Sequence, residues 1–102
     1  MTRNRARIDV PRERIAEFCR RRHIRRLAFF GSVLRDDFRA DSDVDVLVEF
    51  QPGHVPGLAF LSMQDEFSEV LGRKVDLNTP AFLGRHFRDR VISEAEVLFD
   101  EA

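Results

Sequence analysis

The 102 residues are 43% hydrophobic and 34% charged, a balance that argues against a disordered chain and suits one modest core. No apolar run approaches the roughly 18 residues needed to cross a bilayer, and the arginine-rich start is unlike a secretory signal. A lone cysteine, Cys19, cannot form an internal disulfide, so a single domain over residues 1–102 in a reducing, cytoplasmic setting is expected.

The net charge of −1 is unevenly spread. Residues 1–26 hold ten Arg against Asp9, Glu13 and Glu17, which leaves +7, while residues 27–102 carry −8. Such a segment can serve phosphates or an acidic partner, although a charge run is more often the wet face of a helix.

Val10-Pro11 marks a helix start, because Pro is tolerated in the first turn and Glu13 follows it. Ile15, Phe18 and Cys19 recur at helical spacing, so this helix is predicted from Pro11 to about Arg22. Arg26 to Phe30 reads as a short buried strand ended by Gly31. Ser32 is then expected to cap a short helix running to Asp37 or Phe38. After a polar loop comes a strand at Val44–Phe50, followed by the turn-rich segment 51–57. Leu58 to Leu71 has a helical apolar stripe and a stop at Gly72. Lys74 to Leu77 is a third strand. Thr79-Pro80 opens a helix to about Arg90 or Ile92, with Phe82 and Phe87 inward. Glu96 to Phe99 fits a final strand or a helix tail. This order predicts an α/β fold with a small, mixed β-sheet flanked by helices and a phenylalanine-rich core.

The chemistry concentrates in Gly31-Ser32, a ten-residue spacer, Asp43-Val44-Asp45, and a later Asp76. Side chains two apart on a strand share a face, so Asp43 and Asp45 point the same way. Asp45 and Asp76 each interrupt an otherwise apolar run, and buried carboxylates are costly unless paired or metal-bound. Adjacent carboxylates repel, and a hard divalent ion such as Mg2+ relieves them. Duller readings exist for each piece. Gly-Ser after a strand is often a turn with a cap, and Asp-Ser-Asp often makes side-chain turns. An EF-hand loop starting at Asp41 fails, because Val46 stands where Gly is needed and Pro52 where Glu is needed. A P-loop fails too, since no Gly-Lys-Ser/Thr follows Gly31. Carboxylates beside a phosphate cradle suggest phosphoryl or nucleotidyl transfer.

Over nearly its whole length the chain resembles the minimal nucleotidyltransferases of the polymerase-beta-like superfamily. Their motif is Gly-Ser, a spacer, Asp-x-Asp and a later Asp, here Gly31, Ser32, Asp43, Asp45 and Asp76. One departure is Asp36, which stands where the family often has Gly after an Arg, here Arg35.

The resemblance implies a minimal polymerase-beta-like fold and Mg2+-dependent transfer of AMP from ATP. It implies metal contacts from Asp43, Asp45 and Asp76, with Asp76 orienting or deprotonating the attacking hydroxyl. Gly31 and Ser32 would hold the pyrophosphate end, with Arg35 as a further phosphate contact. Stand-alone relatives are commonly antitoxins that adenylylate a tyrosine of a HEPN-domain ribonuclease toxin, which makes such a toxin the expected partner. These 102 residues contain no Tyr, so that acceptor would lie in trans. The alternative is a non-catalytic antitoxin that covers its toxin with Phe82, Leu83 and Phe87 or with the arginine face. Nucleic-acid binding through the first helix is the weaker reading, and neither nucleic acid nor membrane is the expected partner. His23, His54 and His86 lack ligand spacing and are expected at the surface, and Cys19 is expected in packing.

Overall fold

Spacing of apolar residues sets the elements. The computed structural model describes residues 8–35, 38–39 and 41–101. Helix α1 (Arg12–Arg21) leads into strand β1 (Ile24–Phe30), a 3-10 turn (Gly31–Leu34) and strand β2 (Val44–Phe50). Helix α2 (Ala59–Leu71), strand β3 (Val75–Asn78), a second 3-10 turn (Pro80–Phe82), helix α3 (Arg85–Glu94) and strand β4 (Glu96–Asp100) follow. The sheet order is β3-β2-β1-β4, with β2 and β3 parallel and the other pairs antiparallel. This is the small mixed sheet flanked by helices that the sequence predicts.

Strand alternation divides the side chains between two faces. Leu27 and Phe29 of β1, Val44, Val46 and Val48 of β2, and Val75 and Leu77 of β3 face the main core. There α1 contributes Ile15, Phe18 and Cys19, and α2 contributes Met63, Phe67 and Leu71. Phe18 and Phe67 meet with ring centroids 5.1 Å apart, a tilted pair at the junction of the two helices. The opposite face carries a smaller cluster of Phe30, Leu47, Leu83 and Val91, which holds α3 against the sheet.

The parallel β2–β3 pair needs a crossover, and α2 supplies it. Gly72 ends α2 in the left-handed region at φ 77°, with its N–H donating to the Ser68 carbonyl. Helix α2 also satisfies the outer edge of β3. The Val75 N–H donates to Ser68 Oγ at 3.1 Å, and the Leu77 N–H donates to Gln64 Oε1 at 3.0 Å. An edge that would otherwise present open donors is thereby covered, and Asp76 is held between the two.

Four expectations change. The short helix after Gly31 is a four-residue 3-10 turn, and Ser32 lies inside it with no side-chain cap bond; Asp37 lies outside the described residues. The helix expected from Thr79 is broken into a 3-10 turn and α3, with Gly84 as the N-cap of α3. Phe87 is not inward but 53% exposed, and Leu83 is buried rather than available for docking; the Phe82 side chain lies outside the described set. The segment after α3, open between a strand and a helix tail in the sequence, is a strand paired with β1.

Within the described part of the arginine-rich segment, several arginines pair with acids of the body. Arg21 and Arg22 meet Glu66 of α2, Arg25 meets Glu49 at 3.0 Å, and Arg26 meets Asp100 at 3.5 Å. Among the described residues no helix is long and apolar enough to cross a membrane.

Cys19 is buried, and loss of hydration pushes its thiol pKa up to about 12, against a smaller opposing pull from Arg20. The expected outcome is that a thiol-reactive disulfide reagent at pH 8 leaves the native protein unlabelled and labels it fully in denaturant.

Candidate active site

Pairing of β1 with β2 aligns Leu27 with Val48, Phe29 with Val46 and Phe30 with Asp45. Buried apolar residues on both strands fix this register, because a one-residue slip would turn each of them to the wrong face. The end of β1 therefore arrives beside Asp45, and the chain turns there at Gly31 with φ +78°. A Cβ at Gly31 would land on Asp45 Oδ2. Glycine is required twice over, by the positive φ and by the carboxylate occupying the space of its missing side chain. The Gly-Ser turn and the second Asp of Asp-x-Asp are thus in direct apposition.

Parallel pairing of β2 with β3 places Asp45 opposite Asp76. Both lie on the face away from Val44, Val46, Val75 and Leu77, so their carboxylates share one side of the sheet. Asp43 precedes β2 by one residue and belongs to the same neighbourhood. Burial raises the pKa of Asp45 first, then the charges of Asp76 and Asp43, while Arg35 opposes the shift. Lys74 Nζ stands 4.0 Å from Asp43 Oδ2.

The expectation of buried carboxylates is only partly met. Asp45 is half-buried, whereas Asp43 and Asp76 are exposed at the rim. Among the described residues, no three acidic, imidazole or thiol groups are already gathered as a metal cluster. What the geometry provides is Asp45, an acid whose ionisation is disfavoured, with Asp76 and Asp43 as neighbouring oxygen donors. A divalent oxygen-seeking cation such as Mg2+ fits that donor set and would relieve it.

An open pocket of about 380 Å³ lies between this acidic corner and α3. Its lining combines Phe30, Gly31, Ser32, Arg35 and Asp45 with Phe87, Arg90, Val91 and Glu94 of α3. The α3 residues fall at i, i+3, i+4 and i+7, one helical face. The sequence pointed Phe87 inward but gave no reason to expect a cavity beneath it. The histidine pair His23 and His54 was equally hidden; the rings stack at 4.0 Å between the start of β1 and the loop after β2, at the exposed surface.

Two outcomes follow from the Gly31–Asp45 contact. Gly31→Ala is expected to destabilise the fold by about 1–3 kcal/mol in chemical denaturation, through strained φ and displacement of the carboxylate. The raised pKa of Asp45 means that the native state binds more protons than the unfolded chain just above the ordinary carboxylate range. Stability is then lost as pH rises through that window, and the penalty stands in full at neutral pH. Asp45→Asn should accordingly raise the thermal midpoint at pH 7, with the gain shrinking as pH falls towards 4. An equal shift at both pH values would disprove the electrostatic origin.

A family model for the nucleotidyltransferase domain matches residues 12–98. A candidate protein adenylyltransferase of Methanocaldococcus jannaschii is 32% identical over 88 residues, covering 86% of this chain and 94% of that protein. The solved structure of a candidate minimal nucleotidyltransferase superposes with a TM-score of 0.69 at 34% identity, covering 82% of this chain and 85% of the other. A toxin–antitoxin structure with AMP-PNP superposes at TM-score 0.72, covering 89% of this chain and 74% of the other; at 17% identity it bears on the fold alone. With the family match spanning nearly every described element and a relative matched along most of its length, the chain belongs to the nucleotidyltransferase-domain family and is a nucleotidyltransferase.

Proposed function

We propose that this chain is a Mg2+-dependent protein adenylyltransferase that moves AMP from ATP onto a tyrosine of a cognate HEPN ribonuclease toxin, acting as its antitoxin. The observation that carries this reading is the apposition of Gly31 and Asp45 at the edge of a pocket, with Asp76 opposite Asp45 on the neighbouring strand. The relative named as a candidate protein adenylyltransferase and the toxin–antitoxin structure with AMP-PNP support the acceptor class and the nucleotide. In this reading residues 1–102 form a single minimal nucleotidyltransferase domain, with a cytoplasmic site of action.

In this reading Asp43 and Asp45, with Asp76 beside them, hold the divalent ion. When bound, such an ion neutralises charge on the attacked phosphate and the leaving group. Ser32, with the backbone N–H groups of the Gly31–Leu34 turn, holds the pyrophosphate end, a role suited to a turn that presents consecutive N–H donors. Arg35 flanks the same pocket and adds a phosphate contact. Asp76 orients the tyrosine hydroxyl and accepts its proton. The tyrosine oxygen forms a bond to the α-phosphorus as the bond from that phosphorus to the pyrophosphate oxygen breaks, so AMP is transferred and pyrophosphate departs.

A second reading, neutralisation by direct binding, draws on different residues from those the sequence suggested. Val55, Leu58 and Leu61 are 80%, 95% and 69% exposed, a cluster of apolar side chains at the entry to α2. The arginine face is less suited, since Arg21, Arg22, Arg25 and Arg26 already meet acids of the same chain.

The test is incubation with the cognate toxin, ATP and Mg2+, followed by intact-mass measurement. Wild-type protein is expected to add the mass of AMP to the toxin. The Asp43→Asn, Asp45→Asn double variant should reduce that addition to background and should fail to rescue cells from the toxin. Rescue by the double variant at normal expression would favour binding over chemistry.

A further inference from the structure

We infer that Phe87 is the nucleobase platform of the pocket, the side chain that separates a nucleoside triphosphate from bare polyphosphate. This rests on the nucleotidyl-transfer reading above and deepens it. Helix α3 is anchored to the sheet through Val91, which is buried against Phe30 and Leu47. One turn earlier, Phe87 lies on the same face but remains 53% exposed, because the pocket intervenes between it and the Gly31-Ser32 turn.

Two chemistries share that pocket. The sheet side offers Ser32, Arg35 and the Asp45 corner, all suited to charged oxygens. The α3 side offers an aromatic ring with its surface open to the cavity, next to Val91 and Phe30. A nucleotide has the same division, a polyanionic end and a flat apolar ring. The volume of about 380 Å³ falls in the range of small-molecule sites. Stacking on an aromatic face is favourable and tolerant of base identity, since every base has a π-face. The hydrogen-bonding groups on this wall, Arg90 and Glu94, are paired with each other at 3.4 Å. Stacking on Phe87 selects for the presence of a base more strongly than for which base it is.

The experiment is calorimetric titration with Mg2+ of wild type, Phe87→Ala and Phe87→Trp, using ATP and inorganic tripolyphosphate as separate probes. ATP affinity is expected to fall at least about five-fold in Phe87→Ala, with tripolyphosphate affinity unchanged and ATP affinity restored in Phe87→Trp. Unchanged ATP affinity in Phe87→Ala overturns the assignment. A parallel loss for both probes overturns it as well, because the ring would then shape the pocket instead of reading the base. Wild-type protein that binds neither probe defeats the nucleotidyl-transfer reading itself, an outcome separate from the other two.

Discussion

The close approach of the Gly31 backbone to the Asp45 carboxylate is the constraint around which the site is organised. It depends on a register, Phe30 opposite Asp45, that is set by apolar residues on the far side of the sheet. It also depends on a residue without a side chain at a positive φ. The acid is thereby pressed against the turn that would receive phosphate, and its partial burial together with two neighbouring acids makes ionisation unfavourable. Such a corner stores electrostatic cost in the empty protein that a bound cation would offset.

Alternation along β2 explains why one short sequence can carry both stability and chemistry. Val44, Val46 and Val48 are fully buried, and Asp45 lies on the other face of the same strand. Strand β3 repeats the device with Val75 and Leu77 around Asp76. The carboxylates are therefore positioned by the core without belonging to it. The polar side chains of α2 complete the arrangement, since Ser68 and Gln64 take the outward N–H groups on either side of Asp76. The crossover helix thus also fixes the third acid.

The parts legible in the sequence were those with strong local periodicity: α1, β2, α2 with its glycine stop, and the Gly-Ser and Asp-x-Asp spacing. Strand β1 reads as beginning at Arg26 because Ile24-Arg25-Arg26 has no apolar run. In three dimensions those arginines are acceptable in a strand because Glu49 and Asp100 on the flanking strands meet them. The turn after Gly31 could not be told from a capped helix, since Ser at that position suits both. Helix α3 was misread for a different reason. Its stripe does face the sheet, but Phe87 overhangs a cavity, and periodicity reports direction without reporting what fills the space.

Charge distribution gives the uneven composition a structural meaning. Arg20, Arg21, Arg25 and Arg26 lie against Glu49, Glu66, Asp100 and Glu101, acids on β2, α2 and at the end of β4 that do not line the pocket. Each of those exposed or half-exposed pairs contributes little individually to stability. Their collective effect is spatial: they gather these arginines in one region of the molecule, while Arg35 and Arg90 line the pocket. At the Asp43–Asp45–Asp76 corner Lys74 stands 4.0 Å from Asp43, and Arg35 eases the charge on Asp45. A nearly neutral protein can thus maintain a locally negative corner beside a phosphate-suited turn. Under the proposed Mg2+-dependent reading, such a corner would leave negative charge for a divalent ion to neutralise.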